Sequence, residues 1–285
     1  MSTASIVIPA HDEGAGIAAR LGHMLADAAP GEFEVVVVAN GCRDDTARQA
    51  ASVPGVTVVE IAEASKIAAL NAGDDAVTAF PRLYLDADIG IDTGTLRALV
   101  RLLAAADEPC AAAPTLQVDA RRSSWAMRQY VRVWELSDYR RDGHVGSGVY
   151  AVNAAGRRRW DRFPDVIADD RFVQQQFDPS ERRTSEGTFT VRAPATMRAH
   201  LRRATRIDLG NRELGAVAQR AAPVPARVRY GRLLSRVARR PALWVALPIY
   251  VYGYAVPMLR ARRALRRGQH VPWARDASVR DEVAA

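Results

Sequence analysis

Two acidic residues, Asp86 and Asp88, follow an apolar segment with only Ala87 between them. The apolar segment, residues 82–85, is predicted to be a buried strand, and side-chain alternation then puts both carboxylates on the same side. Two like charges at this distance repel each other unless a cation or hydrogen-bond donors offset them. Mg²⁺ or Mn²⁺ would do so, since these ions bind few carboxylates and complete their shells with waters and phosphate oxygens. Alternatively, one aspartate caps the following helix and the other is solvated.

The charge of the chain is divided unevenly. The 285 residues have a net charge of +8, but residues 1–120 have 7 basic and 17 acidic side chains, whereas residues 121–285 have 33 and 15. The acidic half could hold a cation, and the basic half could hold phosphates or a membrane surface. Part of the basic half is expected to be solvated surface. Its sequence contains no recognisable nucleic-acid-binding module, and no nucleic acid is expected as a partner.

Lysine and cysteine are both scarce. Lys66 is the only lysine among 40 basic residues, and its compact ammonium is not interchangeable with arginine in a tight site. Cys42 and Cys110 are too few for a disulfide or metal framework. The start of the chain has no signal-peptide pattern. We therefore expect the folded part to lie in a reducing, cytoplasmic compartment.

Strands and helices are predicted to alternate through the first 110 residues. The strand sequences are ASIVIPA, FEVVVVAN, VTVVEI and PRLYLDAD, and the helices are predicted near residues 16–29, 46–52, 65–77 (interrupted at Gly73) and 92–106. This alternation predicts an α/β fold with a single doubly wound, mostly parallel sheet. Ligands bind such sheets beyond the carboxyl ends of the strands, where Asn40 and the two aspartates fall.

The later part of the chain is more mixed. Three further strands are predicted in CAAAPTLQV, GSGVYAVN and EGTFTVRAPA, and a helix over residues 125–139 has Met127, Tyr130, Val131 and Trp134 on one face. Residues 242–259 contain no charge and are flanked by arginines. As a helix they would span about 27 Å, which is marginal for crossing a membrane.

The uncharged segment is instead predicted to lie in the membrane interface. Its two prolines, Pro248 and Pro257, would kink a crossing helix, and arginines at both ends conflict with a simple orientation. An interfacial or re-entrant segment would place its aromatic residues at headgroup depth: Trp244, Tyr250, Tyr252 and Tyr254. The alternative is a buried helix of a soluble domain.

The order and spacing of several motifs resemble family-2 glycosyltransferases, which are inverting enzymes with the A-type nucleotide-diphospho-sugar transferase fold. The motifs are IVIPAHDE (6–13), VVVANGCRDDT (36–46), Lys66 in ASKIAALNAG, LYLDAD (83–88), GSGVYAV (146–152) and IADDRFV (167–173). The resemblance covers about residues 4–210. It implies a catalytic domain over 1–215, with a nucleotide-sugar half (1–110) and an acceptor half (111–215), followed by a helical, membrane-associating extension (216–285).

The resemblance also implies roles for individual residues. Asp88 would bind the metal, and Asp86 would bind the ribose or the metal. The residues expected to bind the donor are Pro9, Ala10, Glu13, Asn40, Lys66, Asp86, Ala87, Gly148 and Arg206. Asn40 stands where the family usually has a base-reading aspartate, so the sequence leaves the base open. Arg203 would help Arg206 bind the diphosphate. His200 could be a further metal ligand, but it is expected to be a surface residue.

The adjacent pair Asp169 and Asp170 matches the family's catalytic acidic pair. Asp170 would be the general base that takes a proton from the acceptor hydroxyl, a function worth about 10²–10⁴-fold in rate. Both residues could instead cap the helix that follows, and we expect this of Asp169.

The expected activity is transfer of a sugar from a nucleotide-diphosphate sugar to a lipid-linked or glycan acceptor, with Mn²⁺ or Mg²⁺. It is expected at the cytoplasmic face of the membrane, with the membrane surface contacted through residues 239–267. One alternative is a sugar nucleotidyltransferase, although PAHDEGAGIAARL lacks the close-packed glycine and arginine loop that would hold a triphosphate. Another is a non-catalytic protein that binds membrane or nucleic acid.

Overall fold

The computed structural model describes residues 3–141, 145–165, 168–213 and 224–267. In this part of the chain the strands form a seven-stranded sheet in the order β3-β2-β1-β4-β6-β5-β7. The strands are β1 (Ala4–Ala10), β2 (Phe33–Asn40), β3 (Val56–Ile61), β4 (Arg82–Leu85), β5 (Ala111–Asp119), β6 (Val149–Val152) and β7 (Arg182–Arg192). β1 is buried along its whole length, as expected for a continuous apolar run in the middle of a sheet that is covered on both faces.

The sheet is parallel on one side and antiparallel on the other. β1 pairs in parallel with β2 and with β4, and β2 pairs in parallel with β3. β6 is antiparallel to both β4 and β5. The predicted α/β class and single, mostly parallel sheet are therefore confirmed, with the antiparallel strands confined to the β6 side.

The helices of the first half follow the predicted alternation. The helices are α1 (Ile17–Met24), α2 (Thr46–Ala51), α3 (Lys66–Ala76), α4 (Thr93–Ala104), α5 (Trp125–Trp134), α6 (Asp138–Arg141), α7 (Ala154–Arg157), α8 (Asp169–Gln175), α9 (Met197–Glu213), α10 (Ala226–Ala238) and α11 (Ala246–Arg266). The side chain of Asp92 caps α4 by accepting from the Thr95 N–H at 2.7 Å. The expected interruption of α3 at Gly73 was wrong. A Cβ at Gly73 would lie 2.3 Å from Val7 Cγ1, so the glycine allows α3 to pack closely on β1.

The antiparallel pairing of β4 with β6 positions the chain ends on which the site is built. Leu85, the last residue of β4, pairs with Val149, the first residue of β6. The next residue on each side continues this register, because the Asp86 N–H donates to the Gly148 carbonyl at 2.8 Å. The turn before β6 therefore lies directly beside the acidic residues after β4.

The chain divides into two compact units. The described residues of the first are 3–117, 145–165 and 168–190, and those of the second are 118–141, 191–213 and 224–267. The first unit holds most of the sheet. The predicted boundary between 215 and 216 lies outside the described residues.

The second unit is built from helices around an apolar cluster. Its buried residues are Met127, Tyr130, Val131, Val133, Leu136, Leu233, Val237, Leu243, Ala246 and Tyr250. Tyr130 on α5 stacks on Tyr250 of α11, with ring centroids 5.3 Å apart. The predicted apolar face of α5 is thus confirmed, and it is covered by protein. The expectation that Tyr250 lies at headgroup depth was wrong for the same reason.

Within the described parts of the chain, no helix combines the length and the apolar character that a membrane crossing requires. The longest, α11, has Pro257 within it and ends in an arginine-rich last turn. The segment predicted to be interfacial, residues 242–259, extends from the Pro241–Leu243 3₁₀ turn through the first two-thirds of α11.

Candidate active site

Lys66 joins two carboxylates at the carboxyl edge of the sheet. It is the first residue of α3, whose N-cap Ser65 accepts from the Ala68 N–H at 3.1 Å. Its Nζ lies 2.6 Å from Asp86 Oδ1 and 2.9 Å from Asp169 Oδ1. One ammonium therefore offsets the charge of the residue after β4 and that of the first residue of α8. This cation explains how the chain tolerates an acidic residue directly after a buried strand.

Asp169 is the buried member of this group. Its side chain is only 4% exposed, and its other oxygen accepts from the Tyr150 hydroxyl at 2.9 Å. Burial, followed by the neighbouring carboxylates, raises the pKa of Asp169, while Lys66 acts in the opposite direction. Burial lowers the pKa of Lys66, but its two carboxylate partners outweigh this and leave that pKa above its usual value.

The expected capping role of Asp169 was wrong. The N-cap of α8 is Ala168, and no side-chain cap bond is formed there. The side chain of Asp169 instead turns inward to the lysine and the tyrosine. Because both carboxylate oxygens are occupied by these buried partners, Asp169 holds the site together rather than facing a substrate.

Asp170, the second residue of α8, contacts the turn that precedes β6 through its carboxylate. Its carboxylate accepts from the Ser147 N–H at 3.0 Å and from the Arg171 N–H at 2.7 Å. The turn has three consecutive residues in the left-handed region, Gly146, Ser147 and Gly148, with φ of 130°, 57° and 93°. A Cβ at Gly146 would lie 2.8 Å from Asp170 Oδ2. The glycine thus lets the backbone approach the carboxylate, which is half-buried and remains reachable from solvent.

Arg20 belongs to the same edge of the sheet and was missed by the sequence analysis. Its Nε donates to the Ala87 carbonyl at 2.6 Å, and its Nη2 donates to Glu13 Oε2 at 2.9 Å. One guanidinium therefore fixes Glu13 against the backbone between Asp86 and Asp88. The sequence did single out this residue, because Arg20 is the only arginine or lysine in the first 42 positions.

The loop expected to hold the nucleoside is tied to the end of β2. Pro9 and Ala10 are buried at the end of β1, and Asn40 is only 1% exposed. Asn40 Nδ2 donates to the Ala10 carbonyl at 2.8 Å, while its Oδ1 is buried without a hydrogen-bond partner. The asparagine therefore joins the two strand ends, and its role in base recognition remains a prediction.

Asp88 offers the exposed carboxylate of the site. Mg²⁺ and Mn²⁺ are held by one or two carboxylates and otherwise by water and phosphate oxygens. The two carboxylates after β4 fit such an ion. Asp88 is exposed, and Asp86 is half-buried and paired with Lys66. Asp88 could supply the main ligand and Asp86 its remaining oxygen.

Two residues of the sequence prediction lie on α9 in the second unit. Arg206 is placed there, and its role toward a diphosphate remains a prediction. His200 is not the surface residue that was expected. Its ring lies 4.1 Å from that of Tyr130, its Nε2 is 3.2 Å from the Gly253 carbonyl, and its burial lowers its pKa to about 4. These protein contacts give it a packing role in the second unit.

Comparisons with known proteins identify the family and support the fold. Residues 5–163, more than half of the chain, match the model of the family described as Glycosyl transferase family 2. A search of curated proteins found no match. Among solved structures, a mannosyltransferase from Pyrobaculum calidifontis, in complex with GDP-Man and Mn²⁺, is 21% identical with a TM-score of 0.60. That alignment covers 93% of this chain and 79% of the other.

Two further solved structures are similar at lower TM-scores. The glucosyl-3-phosphoglycerate synthase of Mycobacterium tuberculosis is 16% identical over 67% of this chain and 71% of its own, with a TM-score of 0.48. S. aureus TarS 1–349 is 15% identical over 96% and 94%, with a TM-score of 0.46. The mannosyltransferase supports the fold, and the family match identifies the sequence: the chain belongs to glycosyl transferase family 2 and is a glycosyltransferase.

Proposed function

We propose that this glycosyltransferase inverts the anomeric centre of a nucleotide-diphosphate sugar and transfers the sugar to an acceptor hydroxyl, with Mn²⁺ or Mg²⁺ as cofactor. The observation that carries this proposal is the register of β4 and β6. It brings the acidic residues after β4 beside the glycine turn that holds Asp170. This neighbourhood supports the proposal that carboxylates after β4 bind the metal and that Asp170, held by the turn before β6, serves as the base.

Asp170 acts as the general base in this mechanism. It removes the proton of the acceptor hydroxyl as the oxygen attacks the anomeric carbon, while the bond from that carbon to the diphosphate breaks and the nucleoside diphosphate leaves. The backbone N–H groups of Ser147 and Arg171 donate hydrogen bonds to its carboxylate and hold it in a fixed orientation. A fixed base of this kind avoids the loss of rate that misplacement causes.

Asp88, with Asp86, would hold the divalent ion. When bound, the ion neutralises charge that develops on the leaving diphosphate. Lys66 keeps Asp86 in position, and Arg20 fixes the backbone at Ala87 between the two aspartates. This choice of cofactor is supported by the mannosyltransferase from Pyrobaculum calidifontis, whose structure contains Mn²⁺.

The test measures nucleoside diphosphate release from a panel of nucleotide sugars with Mn²⁺ or Mg²⁺ and a candidate acceptor. Asp170→Asn should lower acceptor-dependent release by about 10²–10⁴-fold. The matched control is Asp75→Asn, because Asp75 is exposed in an ion pair with Arg162. Equal activity of Asp170→Asn and the control would refute the role of the base. Release of pyrophosphate instead of nucleoside diphosphate would indicate a nucleotidyltransferase, and retention of the donor's anomeric configuration would refute inversion.

We further propose that α11 holds the enzyme at the cytoplasmic face of a membrane, where it acts on a lipid-linked or cell-envelope polysaccharide acceptor. Val245, Tyr252, Leu259 and Arg266 recur every seven residues and therefore share one helix face. All four are exposed, the first two by 69% and 51%. The three apolar members, Val245, Tyr252 and Leu259, have arginines near both ends: Arg239, Arg240, Arg260, Arg262, Arg263, Arg266 and Arg267. Apolar contact and attraction to anionic headgroups would act together.

Vesicle sedimentation tests the membrane proposal. Deleting α11 would remove Ala246 and Tyr250 from the core of the second unit, so substitutions on the exposed face are preferable. Tyr252→Ser with Leu259→Ser should reduce binding to anionic vesicles, and neutral vesicles should bind the wild type weakly. The control is Trp125→Ser on α5, which removes an exposed aromatic of similar accessibility. Wild-type protein that never sediments with anionic vesicles would overturn the proposal.

A further inference from the structure

Three residues with different metal-binding side chains meet at the ends of β1 and β2. His11, Asp12 and Cys42 each offer one ligand atom, and these atoms lie within 4.8 Å of one another. His11 and Asp12 follow β1 directly, while Cys42 lies two residues after the end of β2. The parallel pairing that places Ala10 opposite Ala39 brings the two chain segments together. Sequence spacing gave no sign of a metal site at Cys42.

The hydrogen bond of His11 sets which ring nitrogen can bind a cation. Its Nδ1 lies 2.6 Å from the Asn40 carbonyl oxygen. A carbonyl only accepts, so Nδ1 has the proton, and in the neutral ring the lone pair is at Nε2. This Nε2 faces Asp12 Oδ2 at 3.7 Å. A backbone carbonyl on the far nitrogen is the arrangement that orients metal-bound histidines in proteins.

The other two groups are held at the same place by backbone contacts. The Asp12 N–H donates to Cys42 Sγ at 3.4 Å, which fixes the sulfur beside the aspartate. The Arg43 N–H donates to Asp12 Oδ1 at 2.8 Å, leaving Oδ2 directed at the histidine. In tetrahedral coordination with bonds of about 2.0–2.3 Å, ligand atoms lie about 3.3–3.8 Å apart. Side-chain adjustments of about 1 Å would therefore complete the site.

We propose that His11 Nε2, Asp12 Oδ2 and Cys42 Sγ form a binding site for Zn²⁺, with a fourth position open to water. The choice of metal follows from the ligands. Thiolate and imidazole favour zinc, whereas Mn²⁺ and Mg²⁺ favour oxygen ligands such as those after β4. All three residues are half-buried, so an ion can reach them from solvent. The site uses no residue assigned above to the transfer reaction.

The test is a Co²⁺ titration of the full-length, metal-free protein in excess Mg²⁺, followed by optical absorption. Cobalt replaces zinc in such sites and gives a thiolate charge-transfer band, and Mg²⁺ occupies the oxygen site. Wild-type protein should bind one equivalent with this band, and added Zn²⁺ should abolish it. Cys42→Ser should lack the band. Asp12→Asn should weaken cobalt binding by at least about tenfold, the loss usual even for residues that only orient a ligand.

Cys110→Ala is the matched control, because Cys110 is the other cysteine and is buried in the first unit. It should retain the band. The proposal is overturned if the wild type shows no thiolate band, if Cys42→Ser retains it, or if Cys110→Ala loses it while remaining folded by circular dichroism. None of these readouts depends on glycosyl transfer, so the outcome is independent of the function proposed above.

Discussion

Lys66 Nζ lies 2.9 Å from Oδ1 of Asp169, a residue more than one hundred positions later in the chain. The contact joins the start of α3 to the start of α8. Because Lys66 also contacts Asp86 at 2.6 Å, one side chain connects the strand end that would hold the metal to the helix that contains the proposed base. Stability and activity are therefore expected to depend on the same ammonium.

Replacing this ammonium should destabilise the protein strongly. Lys66→Met leaves Asp169 buried without its cation, and such a loss costs about 3–5 kcal/mol in the free energy of unfolding. Adding Asp169→Asn should recover part of the loss, because the uncompensated charge is then removed. Urea unfolding measures both. The control is Arg48→Gln, whose ion pair with Asp45 is exposed and should contribute little to stability. Equal losses in Lys66→Met and Arg48→Gln would contradict the prediction.

Substitution of Gly148 by alanine should destabilise the protein more than the same substitution at Gly31, a glycine of similar backbone conformation. Gly148 has φ of 93°, and a Cβ there would lie 3.0 Å from Asp86 Oδ2 and from Ile89 Cδ1. Gly31 has φ of 73° with open space around it. Both alanine variants bear the left-handed strain of about 1 kcal/mol, and only Gly148→Ala adds overpacking of about 1–3 kcal/mol. Urea unfolding of the two variants separates these effects, and equal losses would refute the clash with Asp86.

The second unit should lose stability in mild acid through His200. Burial, together with the nearby Arg203, lowers its pKa from 6.5 to about 4, against the opposing contact with the Gly253 carbonyl. Protonation is thus less favourable in the folded state. The stability due to the neutral ring is complete above pH 6.5 and is lost as the pH falls toward 4, by about 3 kcal/mol at most.

Thermal unfolding between pH 4 and pH 7 measures this effect. His200→Phe should flatten the curve over this range, since phenylalanine cannot take up a proton. His23→Gln should follow the wild type, because His23 is exposed on α1. A wild-type slope that persists in His200→Phe would assign the acid sensitivity to other groups.

Arg20 should affect donor binding more than stability. Arg20→Gln removes the charged contacts with Glu13 and the Ala87 carbonyl, so the loop between Asp86 and Asp88 loses its support from α1. We expect the KM for the nucleotide sugar to rise about tenfold, which corresponds to one charge-assisted hydrogen bond. Steady-state kinetics test this against Arg43→Gln, an exposed arginine of the neighbouring loop. An unchanged KM in Arg20→Gln would argue against a role at the donor site.

The sequence was a good guide where burial alone dictates structure. The apolar runs of β1, β2 and β4 are buried throughout or almost throughout, and a fully buried strand needs little more than a continuous apolar sequence. The scarcity of lysine also directed attention to Lys66, which lies between Asp86 and Asp169, while its role toward a donor stays a prediction. Its partners could not be predicted, because which distant carboxylates meet a side chain depends on packing that no local pattern encodes.

Other features depend on partners that sequence patterns do not identify. Gly73 weakens a helix by about 1 kcal/mol in isolation, yet the close approach of Val7 makes a glycine necessary there. The apolar face of α5 is recognisable from its spacing, but the same spacing serves a lipid surface or another helix. Here it packs on Tyr250 of α11. Arg20 was missed because its two acceptors come from a carboxylate nearby and a carbonyl far along the chain.

The pairing of Leu85 with Val149 has a consequence for how this enzyme can diversify. The chain leaves β4 after Leu85 and enters β6 at Val149, and these two residues are paired. The pairing therefore fixes both ends of the intervening segment. The distance between Asp86 and Gly148 is consequently set by the sheet and not by the length of the chain between them, so the connecting loops can change in length while Asp88, β5 and the turn of Gly146 and Ser147 are kept.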